Sequence, residues 1–262
     1  MNYKCPICDK ELNKKNKTYK CVNNHSFDIA KEDYVNLLIS NKANHGDNKF
    51  LMNSRIEFLN KGYYSCLKDK LIETISQYKH DVLIDLASGE GYYTRYFSEI
   101  SNTYAFDLSK TGIKYAAKHD KNGHYCLANI FRIPLFDHQA DIVTTIFAPI
   151  SVEEISRLLR KDGYFIEVVP NEYHLIEYKE ILYDNIILNV IDNKDKNNLK
   201  LIESINVDDK IHLDNNTDIM NLFNMTPYTY KTSLDAIEKL KTLNTMDVSL
   251  HFIINVYQNT ID

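Results

Sequence analysis

The sequence predicts an α/β protein, a doubly wound and mostly parallel sheet with a nucleotide site, preceded by a small metal-pinned module. Three observations carry this. From Val82 onward, short apolar runs alternate with amphipathic ones, as in parallel strands joined by crossover helices. The first of those runs ends in a turn of small residues, Ala87-Ser88-Gly89-Glu90-Gly91. At the amino terminus, Cys5-x-x-Cys8 and Cys21-x-x-x-His25 have the spacing of metal ligands.

Composition sets the bounds. With 262 residues, 44% apolar and 26% charged, the chain is long enough for one large or two modest globular domains. No apolar run reaches the ~18 residues of a membrane span, and no signal-like core follows the first charges, so a cytoplasmic protein without membrane contact is expected. The net charge of −5 argues against a uniformly basic nucleic-acid binder. Any basic surface must be local.

The amino-terminal module comes first. Cys5, Cys8, Cys21 and His25 can close a tetrahedron of three thiolates and one imidazole around zinc, and four protein ligands leave no place for water, so the metal is expected to be structural. A segment this poor in large apolar residues needs such a staple to fold. Residues 1–25 carry Lys4, Lys10, Lys14, Lys15, Lys17 and Lys20 against Asp9 and Glu11, with Tyr3 and Tyr19 among them. Lysines can meet phosphates and a tyrosine can stack on an unpaired base; the alternative is a solvated face around a metal module. Ser26 to Leu38 is expected to pack the module onto the remainder of the chain. The polar run Ser40 to Lys49 reads as a linker, giving a module over 1–48 and a larger domain over 49–262.

Phe50 to Lys61 reads as a helix ended by Gly62, and Tyr64 to Gln77 as a second. Val82 to Leu86 is a buried strand with Asp85 near its carboxyl end. Its small-residue turn lets backbone approach a ligand, and Tyr92 to Ile100 reads as the crossover helix. The next strand, Thr103 to Phe106, is followed by Asp107, where a carboxylate can grip ribose hydroxyls. A dinucleotide site would want a third glycine where Thr94 stands, to seat a pyrophosphate; S-adenosylmethionine has no pyrophosphate and is the preferred ligand over NAD.

Alternation continues with a helix from Lys110 to His119, a strand from His124 to Ala128, a strand from Asp141 to Phe147, a helix from Ser151 to Leu159, the turn Lys161-Asp162-Gly163 and a strand from Tyr164 to Val169. Leu182 to Asn198 is Asn- and Asp-rich and reads as a loop or insertion near the substrate. Lys200 to Val207 and Val248 to Tyr257 read as the last two strands, with a helix from about Ser233 to Leu243 between them. Ligands should gather at the carboxyl ends of the parallel strands, which carry Asp85, Asp107, Asn129 and Phe147-Ala148-Pro149.

Taken in order, Cys-Pro-Ile-Cys, Cys-x-x-x-His-Ser-Phe-Asp-Ile-Ala-Lys-Glu-Asp-Tyr-Val-Asn-Leu-Leu, Gly-Glu-Gly-Tyr-Tyr-Thr, Phe147-Ala148-Pro149 and Met225-Thr226-Pro227 resemble the bacterial 23S rRNA guanine-N1 methyltransferases, a family that includes macrolide-resistance members. The resemblance runs from Met1 to about Tyr257. It implies a Rossmann-like class I S-adenosylmethionine-dependent methyltransferase with a seven-stranded sheet, acting on a guanine in a 23S rRNA hairpin loop at about position 745 or 748, read as an exposed base. Relatives form homodimers. By the same resemblance Tyr64, Gly89, Glu90, Gly91 and His174 contact the cofactor, Asp107 takes the ribose, and Asn129 lies where an adenine contact is usual. Asp85 could bind the cofactor ammonium or hydrogen-bond the turn. Ala87 and Ser88 depart from the commoner Gly-x-Gly start.

Phe147 and Pro149 lie where such enzymes place the target base, and Phe147 offers a stacking face; Lys14, Lys15 and Lys17 are candidate RNA contacts. No general base is assigned, with Glu167, Glu172 and His174 each possible by location. Two other readings stand beside this one: a silent RNA-binding protein that keeps the cofactor fold, and a small-molecule methyltransferase. Binding of S-adenosylmethionine separates the first from both enzymes, and the basic finger disfavours the second.

Overall fold

The computed structural model describes residues 1–39 and 49–260. Apart from Lys49, the expected linker lies outside the described residues.

The amino-terminal module is a three-stranded antiparallel ribbon of β1 (Asn13–Lys15), β2 (Thr18–Lys20) and β3 (Ser26–Asp28). Asn16 takes a φ of 56° in the two-residue turn between β1 and β2, a conformation Asn tolerates better than most residues. The chain then enters β4 (Tyr34–Asn36), which pairs in parallel with β7 (His124–Leu127) of the larger domain.

That larger domain contains α1 (Lys49–Asn60), α2 (Ser65–Ser76), β5 (Val82–Leu86), α3 (Thr94–Phe97), β6 (Asn102–Asp107), α4 (Lys110–His119), β7, β8 (Ala140–Ile146), α5 (Val152–Leu158), β9 (Leu159–Pro170), α6 (Ile176–Leu182), β10 (Leu199–Leu213), α7 (Asn216–Asn224), a 3-10 turn (Pro227–Tyr230), α8 (Leu234–Lys241) and β11 (Met246–Asn259). The sheet order is β10-β11-β9-β8-β5-β6-β7-β4. β10, β11 and β9 run antiparallel to their neighbours in that trio, and the rest are parallel. The seven expected strands are present, and β4 adds an eighth on the edge beside β7.

Alternate residues of each strand serve opposite layers, which sets the register. Leu83, Ile166, Val168 and Phe252 face a core shared with α1, α2, α6, α7 and α8. Ile84, Phe106, Val143 and Phe165 face the other core, where α5 and the ribbon residues Tyr3, Leu12 and Cys21 pack. The ribbon is therefore built into the second layer.

Tyr3 corrects one expectation. Its ring is buried, edge-on to Tyr19, Tyr104 and Phe106 with centroids 5.2, 6.1 and 6.4 Å away, so it joins the ribbon to the sheet and offers no face to RNA. Beside it, the Lys4 N–H donates to the Pro134 carbonyl at 2.8 Å, and the Leu37 N–H to that of Leu127 at 2.9 Å. Elsewhere α6 and α7 are helices that the residues do not announce, the expected turn Lys161-Asp162-Gly163 lies inside β9, and the remaining differences concern length. The expected helix over Tyr92 to Ile100 is the four-residue α3, and β10 and β11 run well past their expected ends.

Candidate active site and metal centre

The four expected metal ligands meet at one point. Their ligand atoms all lie within 4.8 Å of one another. Two turns put them there: Asp9 donates its N–H to the Cys5 carbonyl and Asn24 its own to that of Cys21, with Asp9 and Asn24 both in the left-handed region. Cys8 Sγ is 3.7 Å from Cys21 Sγ, and His25 Nδ1 is 3.5 Å from the sulfurs of both Cys5 and Cys21. Tetrahedral zinc with bonds of about 2.3 Å to sulfur and 2.05 Å to nitrogen has edges of about 3.8 and 3.5 Å. These contacts are the edges of that tetrahedron, and they assign Nδ1 as the histidine ligand atom. The backbone N–H of Lys10 pulls the half-buried Cys8 thiol down to about 6, which favours the thiolate a metal needs.

At the carboxyl ends of the parallel strands lies a cavity of about 850 Å³. Its floor is the turn after β5. Gly89 and Gly91 have φ of +57° and +77°, and Ala87 shares this left-handed region at 59°. A Cβ on Gly91 would come within 2.7 Å of Ala116 Cβ, and one on Gly112 within 2.5 Å of the Gly89 carbonyl oxygen. The turn and α4 are thus pressed together at glycines, and Gly112, packed behind the turn, is a supporting residue that nothing in the sequence singles out. Its helical position hides the signal.

Three carboxylates line the cavity. Asp107 accepts the N–H of Gly89 at 2.8 Å and that of Ser109 at 2.5 Å. Asp85 is buried, accepting the hydroxyls of Thr94 at 2.5 Å and Thr144 at 2.8 Å; burial pushes it up to about 6 although both hydroxyls favour the anion. Between the two options open for Asp85, these bonds supply the tether to the start of α3. Glu90 is buried and stands 4.0 Å from Arg55 of α1.

The opposite wall is aromatic. Tyr64, Phe147 and His174 line it, with His174 packed on Phe252 at 4.6 Å and Tyr64 edge-on to Phe252 at 5.1 Å. Phe147 is partly exposed at the end of β8, with a φ of 54°, which is uncommon outside glycine and recurs at functional sites. His174 Nδ1 accepts the His251 N–H at 3.2 Å, which leaves the proton of the neutral ring on Nε2. Burial, with the nearby His251 and Lys179 charges, pushes His174 down to about 3. It is a neutral donor at physiological pH.

Of the sequence-predicted residues, Tyr64, Asp85, Gly89, Glu90, Asp107, Phe147, Pro149 and His174 are brought together around the cavity. Gly91 packs behind the turn. Asn129 lies outside the lining and caps its own loop by accepting the Phe131 N–H at 3.0 Å, while its neighbours Ile130 and Phe131 line the cavity. Glu167 faces the other layer, bound to the Tyr257 hydroxyl at 3.2 Å and to Lys196 at 3.4 Å, and neither it nor Glu172 belongs to the lining. Lys14, Lys15 and Lys17 stay on the exposed hairpin of the ribbon. Arg55, Met52 and Asn189 line the cavity unannounced, because single side chains on a helix or in an Asn-rich loop carry no spacing signal.

The lining fits a nucleoside bearing a sulfonium amino acid. Ser88 Oγ and Tyr93 OH are buried without a hydrogen-bond partner, and both residues line the cavity. Such groups are costly unless a ligand satisfies them. Among the described residues, three lining carboxylates against one arginine suit a ligand with positive centres and repel a pyrophosphate.

The comparisons agree with this geometry. Residues 3–44 match the N-terminal zinc ribbon family of RlmA, and residues 84–166 a methyltransferase domain family. The chain is 34% identical over 194 residues to YxjB of Bacillus subtilis, which bears the name of a 23S rRNA (guanine-N(1)-)-methyltransferase, a match covering 69% of this chain and 68% of that one. It is 30% identical over 187 residues to the 23S rRNA (guanine(748)-N(1))-methyltransferase of Streptomyces fradiae, covering 68% and 67%. Among solved structures it resembles a chain of the complex between the Haloferax volcanii Trm112 methyltransferase activator and its methyltransferase, with a TM-score of 0.51, 18% identity and coverage of 82% and 100%. YcgJ of Bacillus subtilis gives a TM-score of 0.50 at 15% identity, covering 74% and 99%. At these identities the structural likeness speaks for the fold alone.

Proposed function

Because the chain belongs to the family of the 23S rRNA (guanine-N1-)-methyltransferases, we propose that it methylates N1 of a guanine in a 23S rRNA hairpin loop, at the position corresponding to about 745 or 748. The observation that carries this reading is the cavity lined by the glycine turn and Asp107 on one side and Phe147-Ala148-Pro149 on the other. It is an S-adenosylmethionine-dependent enzyme with a structural zinc.

When bound, S-adenosylmethionine supplies a methyl group on a sulfonium, open to in-line attack. The protein contributes chiefly alignment. Asp107 holds the Gly89 amide and would meet the ribose, Asp85 tethers the turn through Thr94, and Tyr64 and His174 would close the methionyl end, His174 with its Nε2–H to donate. Phe147 stacks on the target guanine, with Pro149 behind it. The N1 proton must leave as the methyl arrives, and His174 is unsuited to take it because its one unprotonated nitrogen already accepts a backbone N–H. Lys14, Lys15 and Lys17 hold rRNA phosphates, and Asn129 orders the loop that presents Ile130 and Phe131 to the adenine.

A cytoplasmic homodimer belongs to the same proposal, as does resistance to macrolides where the modified base lies in their path. Among the described residues, no helix is long and apolar enough to cross a membrane. Purified protein, labelled S-adenosylmethionine and a 23S rRNA hairpin test the chemistry, with the product digested to nucleosides. Label in 1-methylguanosine is expected; label in an exocyclic methylguanosine, or none, rejects the reading.

A further inference from the structure

Of the aromatic rings that line the cavity, Tyr230 is the most exposed, 72% against 46% for Phe131 and 43% for Phe147. Among the described residues its side chain meets no hydrogen-bond partner and no other ring. An aromatic face left in water at the mouth of a substrate cavity is apolar surface that the fold itself does not use.

The ring is nevertheless carried by a fixed segment. The 3-10 turn Pro227–Tyr230 starts at a proline, and the Tyr228 N–H donates to Thr226 Oγ1 at 3.3 Å. Thr226 and Thr229 both donate their hydroxyls to the Phe223 carbonyl, at 2.7 and 3.0 Å, and Thr232 donates to that of Tyr228 at 2.8 Å. Tyr228 also packs edge-on to Tyr183, just past α6, with centroids 6.1 Å apart. A ring on a backbone held at both ends can bind without the cost of ordering that backbone.

The neighbouring side chains narrow what it takes. The lining residues from Asn224 to Tyr228 carry no charge, so they offer a phosphate no partner and leave the tyrosine face to a planar, uncharged group. The next residue, Lys231, is exposed and has no ion pair among the described residues. A stacking ring and an ammonium on consecutive residues match the base and the phosphate of one nucleotide.

We infer that Tyr230 and Lys231 form a nucleotide subsite at the mouth of the cavity, the ring stacking on an unpaired base that flanks the target guanine and the ammonium meeting its phosphate. This rests on the rRNA reading above and extends it to a second base of the loop, one held on Phe147 and one on Tyr230. A duplex, whose bases keep their own stacking, gains nothing from such a subsite.

The test uses the zinc-loaded full chain and a 23S rRNA hairpin carrying 2-aminopurine in place of the base on either side of the target, bound in the presence of S-adenosylhomocysteine. At one flank the probe should be quenched in the parent complex, several-fold brighter with Tyr230→Ala, and quenched again with Tyr230→Phe, which keeps the ring and drops the hydroxyl. On the unlabelled hairpin, Tyr230→Ala should raise KM about tenfold, with kcat and S-adenosylhomocysteine affinity changed less than about twofold. Lys231→Ala should lower the salt dependence of hairpin binding by about one phosphate contact. A parent-like KM and probe signal in Tyr230→Ala, or a loss that phenylalanine does not restore, overturns the subsite while methylation by the parent keeps the rRNA reading intact. Sedimentation showing that Tyr230→Ala breaks a dimer while the probe stays quenched overturns it in favour of a protein interface. A parent that binds S-adenosylhomocysteine but neither binds nor methylates the hairpin overturns the rRNA reading and the subsite together.

Discussion

Asp107 Oδ2 accepts the backbone N–H of Gly89 at 2.8 Å, so the carboxylate that ends the second strand of the parallel sheet holds the turn that ends the first. The residue that would meet the ribose is thus also the residue that sets the shape of the turn beneath it.

Asp107→Ala is expected to weaken S-adenosylmethionine by about 1–3 kcal/mol, the size of a lost charge-assisted hydrogen bond. Because 5′-methylthioadenosine keeps the ribose, it should lose affinity equally. Titration calorimetry with both ligands checks this, and an unchanged dissociation constant removes Asp107 from the site.

Two buried titratable groups of the cavity, His174 and Asp85, should drive stability in opposite directions with pH. Burial holds folded His174 near 3, below the ~6.5 of an unfolded histidine, so between these values the unfolded chain binds more protons and stability falls as pH falls. Burial raises folded Asp85 to about 6, so between the unfolded value near 3.8 and 6 the folded chain binds more protons, and this contribution is lost as pH rises. Urea denaturation from pH 4.5 to 6.5 should show the parent gaining on His174→Gln as pH rises and losing ground to Asp85→Asn, each by at most about 1.4 kcal/mol per unit. Differences that are flat or of the same sign contradict the burial of these groups.

Ala87 sits at a φ of 59° in the position where a glycine would be unstrained. Ala87→Gly is expected to be neutral or stabilising by up to about 1 kcal/mol, since relief of strain competes with added chain entropy. Ala87→Val, β-branched in the same conformation, should lose about 2 kcal/mol or more and weaken the cofactor. Thermal melts of the pair check the turn; a tolerated valine would mean the backbone is not held there.

The ribbon is expected to be a metal-dependent RNA element that the cofactor site does not need. Cys8→Ser should release zinc, raise amide exchange through the ribbon and along Tyr34–Asn36 at the sheet edge, and leave S-adenosylmethionine binding measurable. Replacing Lys14, Lys15 and Lys17 with alanine should lower the salt dependence of hairpin binding by about two to three phosphate contacts without touching cofactor affinity. Parent-like rRNA binding by both variants at physiological salt would remove the ribbon from the RNA interface.

Much of this architecture is legible in the residues because local signals agree. Val82 to Leu86 is apolar enough to be a central strand, the turn after it is small, and Asp107 ends the neighbouring strand. The metal ligands are equally plain from spacing. What escapes depends on distant partners. The apolar alternation predicts an end to β10 at Val207, where Asp208-Asp209-Lys210 breaks it, yet an exposed edge strand needs little alternation and runs on to Leu213, paired with β11 throughout. α7 hides in an Asn-rich segment, capped by the Asn215 side chain. Tyr34–Asn36 belongs to the stretch expected to pack the module against the larger domain, and it does so by extending the sheet itself, which three residues cannot announce. Arg55 lies on a helix recognisable only by its apolar positions, and Tyr3 looks solvent-facing among lysines until the sheet brings Tyr104 and Phe106 beneath it.

Primer extension across the 745–748 hairpin of 23S rRNA tests the central claim most directly, on rRNA from cells with and without this protein and from cells carrying Asp107→Ala, because a methyl on N1 blocks Watson–Crick pairing. A strong stop at one guanine of that loop is expected only with the parent protein. Read-through in all three samples, or a stop that persists without the protein, would contradict the assignment.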